Sequence, residues 1–184
     1  MTDISKPYTL ITDFITGREV PNVGAEENRQ AVERVLVEDK GYLKEDIQVD
    51  VDIAITVAGE PYSSQVDLAV SADGGKTRFM VIKCAAGSLG SREREIVAAA
   101  RLLDEYQIPC AVVSDGQTAI VLDTISGKKI GDGLDVIPTR QEALARLKSF
   151  KPEGFPGDRR EREKLIFRTY DLENVNVQRK IKNR

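Results

Sequence analysis

Gln65-Val66-Asp67-Leu68-Ala69-Val70 and, a few residues later, Phe79-Met80-Val81-Ile82-Lys83-Cys84-Ala85-Ala86 are the two runs that decide how this chain is read. Both are nearly continuous in apolar residues, the pattern of strands buried on both faces. Between them Asp73-Gly74-Gly75-Lys76 is the chemistry of a hairpin turn. One acid, Asp67, and one base, Lys83, interrupt the two runs. A charge in a central strand requires a partner, because burying it alone is costly.

Working outward, the pattern predicts a helix from Ala25 to Lys40, with Val32, Val35 and Leu36 as its apolar stripe and Gly41 as its stop. Ile47 to Val57 alternates, with Val49, Val51, Ile53 and Ile55 on one face and Gln48, Asp50 and Asp52 on the other, a half-buried strand. Glu60-Pro61 is expected to end it, and the central strands then run over Gln65–Ser71 and Arg78–Ala85. Ser91 is the expected cap of a second helix reaching Tyr106, with Ile96, Ala99, Ala100 and Leu103 inward. Cys110 to Val113 and Thr118 to Asp123 follow as short strands around Asp115-Gly116, and Ser126-Gly127 turns the chain again. Thr139 and Glu142 form a capping box for a helix to Phe150. Residues 151–157 hold two prolines and two glycines and read as a loop, before a charged helix over Asp158–Leu172. This order predicts an α/β sandwich, a central mixed sheet flanked by helices with a right-handed strand-helix-strand crossover. The expected organisation is an α/β domain over 1–150 and a helical extension with a basic tail over 151–184.

Composition narrows the chemistry. The chain has 184 residues, 41% of them hydrophobic, enough for one domain with a real core. It has no histidine, which removes Ser-His and Cys-His catalysis and imidazole metal sites. Cys84 and Cys110 sit in apolar strands and are expected to be buried thiols of a reducing compartment rather than a disulfide. No apolar run approaches a membrane span, and Met1-Thr2-Asp3-Ile4-Ser5 lacks the character of a signal peptide, so a cytoplasmic protein without a membrane partner is expected. The net charge is −3, but from Thr139 onward there are 13 basic against 7 acidic residues. That basic C-terminal third is where phosphate would be met, and its plainer reading is a solvated helix with a basic tail over Gln178–Arg184.

Divalent-metal hydrolysis of a phosphodiester needs hard oxygen ligands and a cation to stabilise the developing charge. Residues i and i+2 of a strand point the same way, so Glu and Lys so spaced can both reach a metal beside an Asp on the next strand. Here the i, i+2 positions are Lys83 and Ala85.

At these residues the chain resembles the N-terminal nuclease domain of type I restriction enzyme R subunits, within the PD-(D/E)xK superfamily. The resemblance runs from Ile11 to Ser126. It includes Ile15-Thr16-Gly17-Arg18-Glu19-Val20-Pro21, the helix start Glu26-Glu27-Asn28-Arg29-Gln30, and Leu36-Val37-Glu38-Asp39-Lys40-Gly41-Tyr42-Leu43-Lys44-Glu45-Asp46-Ile47. Asp67 is similar to the family aspartate, Val81-Ile82-Lys83-Cys84-Ala85-Ala86 to its Glu-Cys-Lys strand, and Val112-Val113-Ser114-Asp115-Gly116 to the strand and turn after the second helix. The resemblance implies a restriction-endonuclease-like fold, a role in restriction-modification, and a site built on Asp67, Lys83 and Glu26, with Glu27 the rival by register. It implies Mg²⁺ held by Asp67 and Glu26 if the site works, and no cofactor otherwise.

The departures fall on the chemistry. Lys83 stands where the family carries its metal-binding Glu, and Ala85 where it carries its lysine. An ammonium about 4 to 5 Å from a divalent ion is disfavoured by roughly 7 kcal/mol at an effective dielectric of about 20. Lys83 is therefore expected to pair with Asp67, and with Glu26, as a built-in cation. The expected function is a nuclease-fold protein impaired in cleavage that acts by binding DNA, through the basic C-terminal region, or a partner protein. The alternative is an active Mg²⁺-dependent DNA endonuclease with Lys83 as a rearranged catalytic lysine and Glu93 or Glu95 supplying the missing ligand.

Overall fold

The structure, a computed structural model, describes residues 8–173. Its centre is the hairpin that the two quoted runs make. β4 (Glu60–Ser71) pairs antiparallel with β5 (Arg78–Cys84), Leu68 opposite Ile82 and Val70 opposite Met80. Asp73 holds the connecting turn by accepting the Thr77 amide at 2.9 Å, with Gly74 and Gly75 both at positive φ. β3 (Ile47–Val57) lies on the outer side of β4. The expected single apolar face is split. Asp50, at φ 52° and skipped in the register with β4, interrupts the alternation, so Ile47 and Val49 pack with Leu68 and Met80 while Val51, Ile53 and Ile55 pack with Val66 and Val81 on the opposite face.

Glu60-Pro61 does not break the sheet. Ala58 and Gly59, both at positive φ, make a two-residue turn, and β4 begins at Glu60 with Pro61 opposite Thr56. The register with β5 begins only at Leu68, so the missing proline N–H falls where β4 has no second strand beside it.

From β5 the chain crosses through α2 (Glu93–Leu102) to β6 (Cys110–Ser114), which lies parallel to β5. β7 (Ala119–Asp123) and β8 (Lys129–Asp132) add antiparallel strands, giving the sheet order β3-β4-β5-β6-β7-β8. The sequence pattern did not announce β8: it is four residues long and mostly exposed, and backbone pairing to β7 alone makes it a strand. Ser91 is not a cap. Its hydroxyl donates to the Ser88 carbonyl at 2.9 Å, and a short 3-10 turn over Gly90–Arg92 leads into α2. α2 ends at Leu102 rather than Tyr106, and the Ile108 amide returns to the Ala100 carbonyl to start β6.

One face of the sheet carries α1 (Glu26–Arg34) and α3 (Arg140–Leu147), burying Val32, Leu36, Leu68, Met80, Ile82 and Val112 among others. The other carries α2 and α4 (Gly157–Glu173), burying Val66, Val81, Ala85, Ile96, Val113 and Phe167. α4 is thus seated on α2 and the sheet through Phe167. The basic stretch 178–184 lies outside the described residues. α1 continues through one wide π turn to Asp39, and Gly41, at φ 75°, lets the Tyr42 amide reach back to Leu36, the stop expected there. The Thr139–Glu142 capping box forms, with the Thr139 amide donating to Glu142 Oε2 at 2.7 Å. Both cysteines are buried thiols outside any disulfide. Among the described residues no helix is long and apolar enough to cross a membrane.

One turn fixes where α1 sits. Gly116, between β6 and β7, has φ 84°, and a Cβ there would lie 2.4 Å from the Ala31 Cβ of α1. Gly116→Ala therefore adds backbone strain to a clash and is expected to lower the unfolding free energy by about 2 to 4 kcal/mol. Urea unfolding with an unchanged m-value measures it; a variant as stable as the parent would show that α1 is not packed on this turn.

Candidate functional site

Lys83 projects from β5 to the face covered by α2, where Val81 and Ala85 on either side of it join the core. Its side chain keeps 15% of its surface exposed. Helix α2 presents Ile96, Ala99 and Ala100 to the sheet, and this phase places Glu95 in its first turn inward as well. Glu95 Oε1 lies 3.0 Å from the Lys83 ammonium, a charge-assisted contact. Asp67 Oδ2 lies 3.9 Å from the same nitrogen and accepts the Cys84 backbone N–H at 2.7 Å. Arg92 approaches the other oxygen of Glu95 at 3.9 Å. Two carboxylates, each almost fully buried, thus converge on one lysine.

Burial pushes the Glu95 carboxyl above its ordinary value, Lys83 opposes that rise, and Asp171 and Asp67 add to it. Asp171 comes from α4, where it accepts hydrogen bonds from the Tyr62 hydroxyl and, at 2.9 Å, from the Ser64 hydroxyl. The C-terminal helix therefore contributes charge to the surroundings of Lys83. Sequence reasoning named Glu93 and Glu95 as alternatives without separating them. Glu95 is the buried one and Glu93 is only half-buried; both stand at helical spacing from inward residues, Glu93 three ahead of Ile96 and Glu95 four ahead of Ala99, so the apolar stripe alone does not separate them.

Glu26 and Glu27 are also resolved. Glu27 is exposed and accepts from the Asn22 side chain at 2.7 Å, while Glu26 turns inward. There its carboxylate pairs with Arg29 and accepts the Gln30 amide at 3.0 Å. Arg29, 1% exposed, is the hub of this network: Asp13 stands 2.7 Å and Glu33 2.8 Å from its Nη1. Asp13, in the loop between β1 (Leu10–Thr12) and β2 (Glu19–Pro21), also accepts the Thr16 amide and hydroxyl and the Gln30 side chain. The network docks the N-terminal hairpin on α1. The link from α1 to the end of β5 is made by Asn28, whose side chain donates to the Ala85 carbonyl at 2.6 Å.

Magnesium, the ion that the resemblance implies, does not fit these residues as they stand. An ion held about 2.1 Å from the oxygens of both Asp67 and Glu95 would compete for space with the ammonium that already bridges them. Glu26 is engaged by Arg29, and among the described residues no group of three or more His, Cys, Asp or Glu side chains is arranged to hold a metal.

The Arg29 network carries more negative than positive charge, and its chemistry has a pH signature. Burial, with Asp13 and Glu26 nearby, pushes Glu33 up to about 8 against the pull of Arg29. Below the ordinary value of 4.5 the group holds its proton both folded and unfolded; from there to about 8 only the folded state keeps it. Glu33 thus makes stability fall as pH rises across that window, at most by about 1.4 kcal/mol per pH unit. Glu33→Gln is expected to remove this decline. Urea unfolding of both proteins from pH 5 to 8 tests it, and a stability difference between them that stays constant with pH would exclude a proton on Glu33.

The comparisons with known proteins bear on this site. No curated protein and no solved structure matches the chain. The model of one family, type I restriction enzyme R protein N terminus (HSDR_N), matches residues 24–138, which include α1, the whole sheet and α2. The six-stranded mixed sheet between helices agrees with a restriction-endonuclease-like sandwich, and Asp67, Lys83 and Glu95 all lie within the match. With more than half of its length so matched, the chain belongs to the family of the type I restriction enzyme R protein N terminus.

Proposed function

We propose that this chain is a cytoplasmic nuclease-fold module of the PD-(D/E)xK kind whose cleavage site is silenced by its own lysine, and that it works by binding DNA. The observation that carries the reading is the Lys83 ammonium at 3.0 Å from Glu95 and 3.9 Å from Asp67. It supplies the positive charge that carboxylates at a phosphodiesterase site otherwise take from a metal. Its single charge neutralises half of what the two acids carry, and a divalent ion arriving beside it meets repulsion of several kcal/mol. DNA as the partner rests on the restriction-enzyme family and on the excess of basic residues after Thr139. A protein partner is the alternative to which absent DNA binding would point.

A second reading, a working Mg²⁺-dependent endonuclease with a rearranged lysine, has one observation in its favour. Asp67 and Glu95 converge closely enough that displacement of Lys83 would leave two carboxylates facing one space.

Calorimetry with Mn²⁺ separates the two. The wild-type protein is expected to give no binding heat, and Lys83→Ala, which vacates the space between the carboxylates, is expected to acquire a weak site. Plasmid nicking should be absent in the wild type and gained, if at all, only in Lys83→Glu/Ala85→Lys. Wild-type nicking that Asp67→Ala abolishes would establish the second reading. For DNA, affinity is expected to fall steeply with salt, as release of phosphate counterions requires; absent or salt-independent binding would remove DNA as the partner.

A further inference from the structure

The turn between β1 and β2 sets an aromatic side chain beside the last turn of α1. Asp13 accepts the Ile15 and Thr16 amides, and its own N–H donates across the turn to the Arg18 carbonyl at 2.8 Å. The buried Arg29 holds the same aspartate at 2.7 Å, so the turn is fixed to the helix. Phe14 is pinned at both ends of its backbone. Its N–H donates to Gln30 Oε1 at 2.7 Å, and its carbonyl accepts the Lys44 ammonium. The half-buried ring is left as a platform.

Two cations settle on that ring. The Lys44 ammonium lies 4.0 Å and the Arg34 guanidinium 4.5 Å from its centroid. Arg34 is the last residue of α1, and Lys44 opens the short 3-10 turn that leads into β3, so three segments converge. Both residues are exposed, and neither is in an ion pair with a described residue, although Glu38 follows Arg34 by one helical turn and Glu45 adjoins Lys44. Arg18, on the same turn as Phe14, is likewise exposed and outside any such pair. An aromatic ring holds a cation in place without cancelling its charge. The positive potential here is therefore fixed and not neutralised, which suits it to an anion. The basic residues after Thr139 do not gather in this way. α3 and α4 lie on opposite faces of the sheet; Arg140 pairs with Asp46, Lys164 with Glu161 and Arg168 with Glu60, and Arg146 lies over the fully buried Phe79.

We propose that the surface around Phe14 receives the phosphate backbone of DNA, with Arg34 and Lys44 as the contacting cations. The inference rests on the DNA-binding reading above and names the residues that would carry it. Arg34 presents a planar fork to two oxygens of one phosphate, and Lys44 a point charge to the same or the next phosphate. The ring already restricts both side chains, so less freedom is lost on binding than at unsupported surface cations. The restriction-enzyme family favours DNA over an acidic protein segment as the anion. Lys83 projects to the opposite face of the sheet, under α2, so a phosphate held beside α1 is remote from the carboxylate–lysine cluster.

Fluorescence anisotropy of the full chain with a labelled duplex and a labelled single strand of the same length, at several salt concentrations, tests this. Arg34→Gln/Lys44→Gln is expected to weaken binding by about tenfold or more and to reduce the slope of log affinity against log salt by about 2, one for each lost phosphate contact. Lys76→Gln/Lys128→Gln removes as much charge from two exposed turn residues and is expected to leave the slope unchanged. Phe14→Leu keeps every charge but removes the platform, and is expected to weaken binding about threefold. Arg34 and Lys44 are exposed, so their double variant carries the test even if Phe14→Leu fails to fold. Tighter binding of the duplex or of the single strand names which form supplies the backbone. Wild-type DNA binding that Arg34→Gln/Lys44→Gln retains in full would overturn this surface and leave the DNA reading standing. No DNA binding by the wild type would overturn both. Poly-glutamate bound more tightly than either DNA would also overturn the proposal, and would point to an acidic protein partner.

Discussion

A lysine in a strand buried on both faces has to bring its anions with it. Lys83 meets that requirement with Glu95 from the crossover helix and Asp67 from the neighbouring strand. The three residues come from three different elements, so the cluster ties β4, β5 and α2 together at one point. Removing the lysine would leave two carboxylates almost fully buried beside each other, and removing either acid would leave the ammonium under-compensated. The parallel pairing of β5 and β6 makes this possible, because it requires a crossover helix over that face of the sheet.

A second buried cation organises the other side of the molecule. Arg29 gathers Asp13, Glu26 and Glu33, and through Asp13 it holds the β1–β2 hairpin against α1. Such networks are costly to assemble and act chiefly to specify one arrangement. The tight approach of Gly116 to Ala31 has the same effect by sterics, since α1 can sit on the β6–β7 turn only where that residue has no side chain. α1 is thus positioned by a buried arginine and a missing Cβ. Its Glu26 serves the arginine network, and the end of β5 is reached by Asn28.

Much of this was legible in the chain. Apolar runs marked β4, β5 and β6, and Thr139 with Glu142 marked the start of α3, because burial on both faces and a capping box are written in local residue types. Pro61 misled because a proline's cost depends on whether a second strand lies beside it, which no local window contains. β8 was missed because its residues have no core to face and are ordered by pairing with β7. Ser91 suggested a cap from its type alone, but the chain enters α2 through a 3-10 turn that hands its hydroxyl to Ser88.

The sequence by itself determined that Asp67 and Lys83 stand on adjacent central strands and that Lys83 and Ala85 point to the same face, because strand periodicity and residue identity are local properties. Only the tertiary structure decided which acid closes the cluster. Glu93 and Glu95 are equally acidic and two residues apart, and the choice between them is set by the rotation of α2 on the sheet, fixed by Ile96, Ala99 and Ala100 packing on Val81 and Val113. The rotation of a helix about its axis is settled by the surface it packs on, and that surface comes from strands distant in the chain.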